Sequence, residues 1–206
     1  MNTRKFLPIA ATTVAAAIAL AGCASGGSGS SGTSMPGMDH GTSSSPAAAS
    51  DKNVASDHNA ADVMFAQIMI PHHAQAVEMS EMILKKQDIP AEVTSLATRI
   101  KAAQGPEIEK MTGWLTGWGV SPQMSSGHSM DGMMGADDMA KLEAAQGLEA
   151  AKLFLTQMIT HHEGAVTMAK AESKDGKNAQ ALQLSKDIVS SQEAEIQEMK
   201  NLLTSL

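Results

Sequence analysis

The sequence contains a single cysteine, Cys23, and no tyrosine, and it has only three phenylalanines and two tryptophans. One cysteine cannot form an intrachain disulfide, and it excludes a metal site built from several thiolates. Positive charge is also scarce, because 15 Lys and Arg face 22 Asp and Glu, giving a formal net charge of -7. This balance argues against nucleic acid as a partner and makes cations the more natural ligands.

Methionine and histidine are abundant where aromatic residues are scarce, with 16 Met and 7 His in the chain. Methionine is a flexible core filler, so a Met-packed interior is the simplest interpretation of methionines on helix faces. That interpretation does not extend to methionines in loops, where no core is available. The loop methionines therefore call for another explanation.

The N-terminus has the features of an export signal. Arg4 and Lys5 precede an apolar run, Phe6–Leu20, which is too short and too rich in alanine for a membrane span. The run ends in Leu-Ala-Gly-Cys, which resembles the lipobox of bacterial lipoproteins. We therefore predict a lipoprotein signal peptide at residues 1–22, lipid on Cys23, and membrane anchoring that faces the periplasm or the cell surface. An uncleaved or non-lipidated signal is the alternative.

Residues 23–56 consist mainly of Ser, Gly, Ala and Thr, which cannot bury enough apolar surface to fold. We interpret them as a flexible tether. Soft sulfur and imidazole donors occur here and in a Gly-rich segment at residues 121–136. These donors are Met35, Met38, His40, His128, Met130, Met133 and Met134. They are candidate auxiliary copper ligands, and compositional chance in a Met-rich chain is the alternative.

The remainder, residues 57–206, reads as four helical segments at about 58–87, 91–118, 137–173 and 178–205. Short breaks at 88–90 and 174–177 suit antiparallel hairpins, and residues 121–136 form a longer crossover. We predict an all-α, ferritin-like four-helix bundle. Its two hairpins would span residues 57–120 and 137–206.

The two predicted hairpins contain matching segments. Phe65–Met79 aligns without gaps on Phe154–Met168, with Phe, Met-Ile, His-His, Ala-Val and Met recurring in step. The following helices also match, because Gln-x-x-Glu-Ile-x-x-Met occurs at 104–111 and again at 192–199. We interpret the chain as a repeated helical hairpin.

Each first helix of a hairpin carries one stripe of residues suited to binding a soft metal ion. At 100° per residue the stripe is narrow enough to face a single direction. Its candidate ligands are Met69, His72, His73 and Met79 in the first hairpin, and Met158, His161, His162 and Met168 in the second. Asp62 extends the first stripe as a second-shell candidate, whereas the second has Ala151 at that position. The two sites need not be equal.

On each second helix, two polar residues interrupt an apolar face. These are Gln104 and Glu107 in the first hairpin, and Gln192 and Glu195 in the second. Counting from the hairpin turns at about 1.5 Å per residue places them level with the histidines. Buried polar groups need partners, so we predict a polar layer at mid-bundle. The glutamates are candidate metal ligands, and the glutamines are second-shell candidates.

The donor types favour copper. Ferritin-like di-iron bundles use Glu-x-x-His, whereas this chain has Met-x-x-His at both sites. Thioether and imidazole without thiolate favour Cu(I), then Ag(I) and Cu(II), and no organic cofactor is implied. The alternative for the histidines is that one of each pair is a core residue and the other is solvated. For the methionines it is plain core packing.

Met-Ile-x-His-His-x-x-Ala-Val-x-Met, with Phe four residues before each first Met, resembles the domain of unknown function 305 (DUF305) family. The resemblance covers about residues 57–206. It implies a ferritin-like helical bundle, an exported location and, for some members, copper or silver binding linked to metal tolerance. The resemblance also implies that the ligand candidates of both stripes, together with Asp62, are the positions that match the family's motifs. Ala151 departs from the acidic position.

Three functions remain open from the sequence. The leading hypothesis is a lipoprotein that sequesters copper or exchanges it with a donor or acceptor protein, without turnover. The second is a ferritin-like oxidase of Cu(I) or Fe(II) in which Glu107 and Glu195 are hard ligands. The third is a metal-free envelope interaction module. The sequence does not define the oligomeric state.

Overall fold

A computed structural model describes residues 57–123 and 130–206. The predicted signal peptide, the lipidation of Cys23 and the tether lie outside these ranges, as do four of the auxiliary loop candidates: Met35, Met38, His40 and His128. Within the described residues every regular element is a helix, so the all-α prediction is confirmed. The helices are α1 (Ala60–Leu84), α2 (Ala91–Gly117), α3 (Ala136–Ala144), α4 (Gly147–Asp175) and α5 (Ala179–Ser205).

The predicted third helix is wrong in one respect, because it is divided into α3 and α4. Ala145 and Gln146 are extended, and Gly147 has φ +51°, a conformation that glycine adopts without strain. Lys86 Nζ donates to the carbonyls of Glu143 and Ala145, which ties the end of α3 to the end of α1. The break lets Leu142 of α3 enter the core, where it is fully buried.

Side chains cap two of the long helices. Asn59 accepts from the N–H groups of Ala61 and Asp62, and Asp62 accepts in return from the Asn59 N–H, which completes a capping box for α1. Asn178 caps α5 in the same manner, accepting from the N–H groups of Gln180 and Ala181. These caps fix where the two helices begin.

The four long helices pack as two hairpins, α1 with α2 and α4 with α5. The hairpins meet mainly through α1 and α4, which makes these two helices central to the bundle. Pro71 lies inside α1, and the helix continues through it. None of the helices in the described parts of the chain has both the length and the apolar content needed to cross a membrane.

Two apolar clusters fill the interior. The Phe65 cluster includes Phe65, Met69, Met111, Ala165, Ala169 and Ile188. The Phe154 cluster includes Ala76, Met79, Ile83, Ala151, Phe154, Met158 and Met199. Residues early in α1 therefore share a cluster with residues late in α4, so these helices run antiparallel. The two His-His pairs lie between the clusters along both helices.

Candidate metal centre

All four histidines of the two pairs are fully buried, at 0 % exposure. His72 of α1 and His161 of α4 face each other, with ring centroids 3.7 Å apart and planes inclined by 37°. His162 lies farther from His161, at 6.3 Å between centroids. The antiparallel crossing of the central helices thus brings the two pairs together. We call these four residues, with the buried Gln104 and Gln192, the histidine layer.

Each hairpin contributes one histidine–glutamate pair to this layer. His73 Nε2 lies 2.7 Å from Glu107 Oε2, and His162 Nε2 lies 2.8 Å from Glu195 Oε2. Both glutamates reach the edge of the layer, where their side chains are 18 % and 19 % exposed. A carboxylate can only accept a hydrogen bond, so Nε2 is the donor in both pairs. In the imidazole tautomer that donates from Nε2, the free lone pair is on Nδ1.

Glu107 and Glu195 were predicted as metal ligands, but in this geometry each contacts a histidine ring instead. They bind the far nitrogen of the imidazole, as carboxylates do behind metal-ligating histidines. The sequence placed Glu107 and Glu195 level with the histidines, but it could not show which atoms would meet. In the structure their carboxylates orient His73 and His162.

His72 is oriented by the backbone. Its Nε2 lies 3.2 Å from the carbonyl oxygen of Asp131, which can only accept, so Nε2 donates here as well. The free lone pair of His72 is again on Nδ1. Neither ring nitrogen of His161 has a hydrogen-bond partner within the described residues.

Several buried polar atoms of the layer have no hydrogen-bond partner among the described residues. They are Nδ1 of His72, His73, His161 and His162, Nε2 of His161, and Oε1 of Gln104 and Gln192. Burying such atoms without a partner costs about 1–3 kcal/mol each, so their accumulation in one layer needs a reason. One nitrogen of the neutral His161 ring carries its proton, and each of the other atoms can donate a lone pair, which a cation would satisfy. The donor set therefore fits a metal ion.

His72 and His161 are in the form that binds metal. Burial, with the nearby His73 acting in the same direction, lowers the pKa of His72 to about 3. Burial also lowers the pKa of His161 to about 2, with His72 contributing next. Both rings are neutral near pH 7, so neither must lose a proton before it binds an ion.

Imidazole and carboxylate groups do not make a complete site on their own. Within residues 57–123 and 130–206, no group of three or more His, Cys, Asp or Glu side chains is arranged to hold a metal ion. Other donors would have to complete a site in this layer, and the methionines of the two adjoining clusters are available. Thioethers prefer soft ions over hard ones.

The structure groups the methionines across the hairpins. Met69 of α1 is in the Phe65 cluster, with the partly buried Met168 of α4 packed against it. Met79 of α1 is in the Phe154 cluster with Met158 of α4. The sequence assigned Met69 and Met79 to one site and Met158 and Met168 to another. Instead, each side of the histidine layer has one methionine from each central helix.

Two further buried methionines were missed as candidates. Met111 of α2 is in the Phe65 cluster and Met199 of α5 is in the Phe154 cluster, both at 0 % exposure. The matching Gln-x-x-Glu-Ile-x-x-Met segments contained the signal, because both methionines end them. The contribution of the Asp131 carbonyl had no sequence signal, since any residue supplies a backbone oxygen.

Asp62 lies away from the histidine layer, contrary to the predicted second-shell role. Its carboxylate accepts from the backbone N–H groups of Asn59 at 2.6 Å, Lys177 at 3.0 Å and Asn178 at 2.8 Å. It precedes His72 by about 15 Å along the helix axis. Asp62 instead joins the start of α1 to the turn between α4 and α5.

Glu172 completes a buried carboxyl pair with Asp62. Burial, reinforced by the neighbouring Asp62 carboxylate, raises the pKa of Glu172 to about 8. Burial also acts to raise the pKa of Asp62, but backbone hydrogen bonds led by Asn178 and Asn59 outweigh it and lower that pKa. Near pH 7, Glu172 therefore holds the proton and Asp62 the charge.

The auxiliary loop candidates inside the described residues are Met130, Met133 and Met134, and all three are partly buried. Met134 packs against the Phe154 cluster. Its backbone N–H donates to Gln75 Oε1 at 2.7 Å, and its carbonyl accepts from Gln75 Nε2 at 2.9 Å. The loop is thus fastened to α1 one turn after the first histidine pair.

Comparison with known proteins identifies the family of this chain. The family model described as "Domain of unknown function (DUF305)" matches residues 62–203. The chain belongs to the DUF305 family. The match covers all four long helices and the histidine layer, so the resemblance predicted from the His-His segments is confirmed. A search of curated proteins finds no significant match.

Among solved structures, the chain is similar to two other DUF305 proteins. A candidate secreted protein of Streptomyces coelicolor is 36 % identical, with a TM-score of 0.67 over 70 % of this chain and 93 % of that one. A DUF305 fragment of Deinococcus radiodurans is 31 % identical, with a TM-score of 0.65 over 72 % of this chain and 98 % of that one. The DUF305 bundle therefore extends over most of this chain.

The chain is also similar to CopM, whose structure is known with metals bound. CopM in the Cu(I)-bound form is 33 % identical, with a TM-score of 0.60 over 70 % of this chain and 96 % of that one. CopM has also been solved in Cu(II)-bound, silver-bound and apo forms. A relative within the same fold thus binds copper and silver.

Proposed function

We propose that this protein binds copper, chiefly as Cu(I), in the histidine layer and serves to sequester it or pass it on. The observation that carries the proposal is the set of four buried Nδ1 atoms without hydrogen-bond partners, lying between two methionine-containing clusters. Neutral imidazole and thioether together favour Cu(I), followed by Ag(I) and Cu(II). The copper-bound and silver-bound forms of CopM support this choice.

The proposed ligands are the imidazoles of His72, His73, His161 and His162, at most two of them for one ion, with sulfur from Met69, Met79, Met158 and Met168. Glu107 and Glu195 orient His73 and His162, which keeps the Nδ1 atoms free for the ion. Met111 and Met199 are additional sulfur donors within the same clusters. Gln104 and Gln192 face the layer as second-shell groups.

We also propose that the protein acts outside the cytoplasm, held to a membrane by lipid on Cys23. The lipobox-like sequence supports the anchor, and the S. coelicolor relative, a candidate secreted protein, supports export. In this arrangement the Ser- and Gly-rich residues 23–56 tether the bundle to the membrane surface. Met35, Met38, His40 and His128 would collect copper and deliver it to the bundle.

A silver titration tests the binding site. We expect the double substitution His72→Ala with His161→Ala to weaken Ag(I) binding more than about 100-fold, beyond the usual effect of losing one second-shell partner. His58→Ala is the matched control, because His58 stacks on Trp118 outside the layer. Competition with a chelator of known affinity measures the change. Folded wild-type protein that retains neither Ag(I) nor Cu(I) would overturn the proposal.

X-ray absorption of the Cu(I)-loaded protein tests the ligand types. Sulfur scattering together with imidazole is the expected result, because the described residues offer no complete site of imidazole and carboxylate. A spectrum with nitrogen and oxygen only would exclude the thioether ligands and favour the oxidase alternative. Oxygen consumption on addition of Cu(I) or Fe(II) would then decide whether turnover occurs.

A further inference from the structure

The segment Met130–Met134, which we call the strap, lies against both central helices at the level of the histidine layer. Towards α1, the Asp131 carbonyl accepts from His72 Nε2, and Met134 exchanges two hydrogen bonds with Gln75. Towards α4, Gly132 packs against the backbone of Thr160 and His161. The strap therefore contacts the helix segments that carry His72 and His161.

The contact with α4 depends on two glycines. A Cβ atom on Gly164 would lie 2.1 Å from the Asp131 carbonyl oxygen and 2.9 Å from the Gly132 Cα. A Cβ atom on Gly132, which has φ +82°, would lie 2.7 Å from the Thr160 carbonyl oxygen. Such distances are far below van der Waals contact. A side chain at either position would push the strap away from α4.

The two helices hold the strap by different means at matching positions. The gap-free alignment of Phe65–Met79 on Phe154–Met168 pairs Gln75 with Gly164. Gln75 fastens the strap by two hydrogen bonds, whereas Gly164 provides the space in which it lies. The two matching helices thus differ at the point where the strap crosses them.

We infer that the strap is the cover through which metal enters and leaves the histidine layer. This inference rests on the proposed function. His72 and His161 have no exposed surface, so an ion can reach them only when some part of the structure moves. The strap is held by three hydrogen bonds and close packing, whereas the helices around it are continuous. Lifting it frees His72 Nε2 and opens the side of the ring pair that it covers.

The strap also carries its own soft donors. Met130 and Met133 are partly buried. When the strap lifts, their thioethers move with it, so they can take an ion outside and bring it to His72 and His161. Closing then restores the hydrogen bond from His72 Nε2 to Asp131, which leaves Nδ1 of His72 for the ion.

Release of Ag(I) to an excess of chelator, followed by stopped flow, tests the inference. We expect Gln75→Ala to release Ag(I) about tenfold faster, because two hydrogen bonds that close the strap are lost. Gln67→Ala is the matched control, since this α1 glutamine donates to the Ser121 carbonyl and does not touch the strap. Its release rate should equal that of the wild type.

Gly164→Ala supplies a second test through a different contact. It should accelerate release at least as much as Gln75→Ala, whereas Gly113→Ala, where an added Cβ meets nothing within 4 Å, should leave the rate unchanged. Circular dichroism checks that each variant is folded. If Gly164→Ala does not fold, the pair Gln75→Ala and Gln67→Ala still decides the question.

Hydrogen exchange at the Met134 amide reports strap opening without metal, because this amide donates to Gln75 Oε1. Faster exchange in Gln75→Ala together with faster Ag(I) release is the expected result. Faster exchange with unchanged Ag(I) release would contradict the role of the strap as a cover and would leave the proposed function intact. A wild-type protein that binds no Ag(I) at all would overturn both.

Discussion

The two hairpins are nearly alike at the centre of the bundle and unlike elsewhere. Their histidine–glutamate distances are 2.7 and 2.8 Å, and the two glutamates are 18 % and 19 % exposed. Yet the strap binds His72 and leaves His161 without a comparable partner. The histidine–glutamate pairs are therefore shared between the hairpins, whereas the hydrogen bonds to the strap come from α1 and the close packing against it comes from α4.

The ends of the bundle differ just as clearly. At one end, Asp62 and Glu172 form a buried carboxyl pair. The same alignment of the two hairpins places Ala151 and Ile83 at the corresponding positions, and both are buried in the Phe154 cluster. One end thus combines a buried carboxyl pair with backbone hydrogen bonds, and the other is held by apolar packing.

Removing the matched phenylalanines compares the two apolar clusters and should have the largest effect on stability. Phe154→Ala should lower the free energy of unfolding by about 3–5 kcal/mol, because a fully buried ring leaves a cavity. Phe65→Ala should cost somewhat less, since Phe65 is 3 % exposed. Urea unfolding measures both changes. A cost below about 1 kcal/mol for Phe154→Ala would contradict its place in the core.

Asp62→Ala tests the polar end of the bundle. It should lower the free energy of unfolding by about 2–3 kcal/mol, because buried backbone N–H groups lose their acceptor and the capping box is broken. Ag(I) affinity should remain unchanged, since Asp62 lies away from the layer. A large loss of affinity in the folded variant would restore the second-shell role predicted from the sequence.

Glu107→Ala and Glu195→Ala test whether the two hairpins contribute equally to the layer. Each should weaken Ag(I) binding by about 10–100-fold, the usual effect of losing a carboxylate behind a metal-bound histidine. The two losses should agree within a few-fold, because the distances and exposures match. Chelator competition measures them. A strongly unequal pair would show that one hairpin dominates the site.

Glu172→Gln tests whether the proton held by Glu172 contributes to the free energy of unfolding. The pKa of Glu172 is raised from 4.5 to about 8 on folding, so the folded state binds the extra proton between these values. The stability that this proton contributes is complete below pH 4.5 and is lost as the pH rises towards 8, with a slope of at most about 1.4 kcal/mol per pH unit. Glutamine imitates the protonated acid and should remove this slope.

Unfolding experiments at pH 5, 7 and 9 measure the effect of Glu172→Gln. The variant should resemble the wild type at pH 5 and be the more stable of the two at pH 9. Asp62 has the opposite sign, because its lowered pKa makes its contribution disappear only as the pH falls. If the free energy of unfolding varied with pH in the same way in the wild type and in Glu172→Gln, the raised pKa of Glu172 would be contradicted.

Gly113→Ala should have the smallest effect and acts on one hairpin alone. The position is exposed within α2, and an added Cβ meets no other atom within 4 Å. Alanine restricts the unfolded chain and favours helix, so the free energy of unfolding should rise by about 0.5–1 kcal/mol. Urea unfolding again provides the measurement, and a destabilised variant would contradict the open surroundings of this glycine.

The sequence predicts the helices and the depth of the site because both follow from local patterns. Helical periodicity places His73 and Glu107 on inward faces, and counting from the 88–90 turn places them level. The helix break is harder to predict, since Ala145 and Gln146 carry no strong breaking signal and only Gly147 indicates it. Tertiary contacts to Lys86 hold the break in place.

What the sequence could not provide is information across the interface of the hairpins. A stripe on one helix shows which residues share a direction, but not which helix faces them. For this reason Met69 was grouped with Met79, whereas the structure groups it with Met168. The same limit explains why the predicted second-shell role of Asp62 fails. Asp62 lies on the histidine stripe of α1 but near the start of the helix. The strap depends on backbone atoms, which no residue pattern reveals.

The meeting of His72 with His161 has a consequence for the architecture. Each of these residues lies at the same position of its own matching segment, so the surface joining the halves pairs a helix with its sequence counterpart. Symmetric homodimers use this isologous form of contact. One helical pair on its own would present a face that is complementary to a second copy of itself, with an imidazole of each copy at the twofold axis.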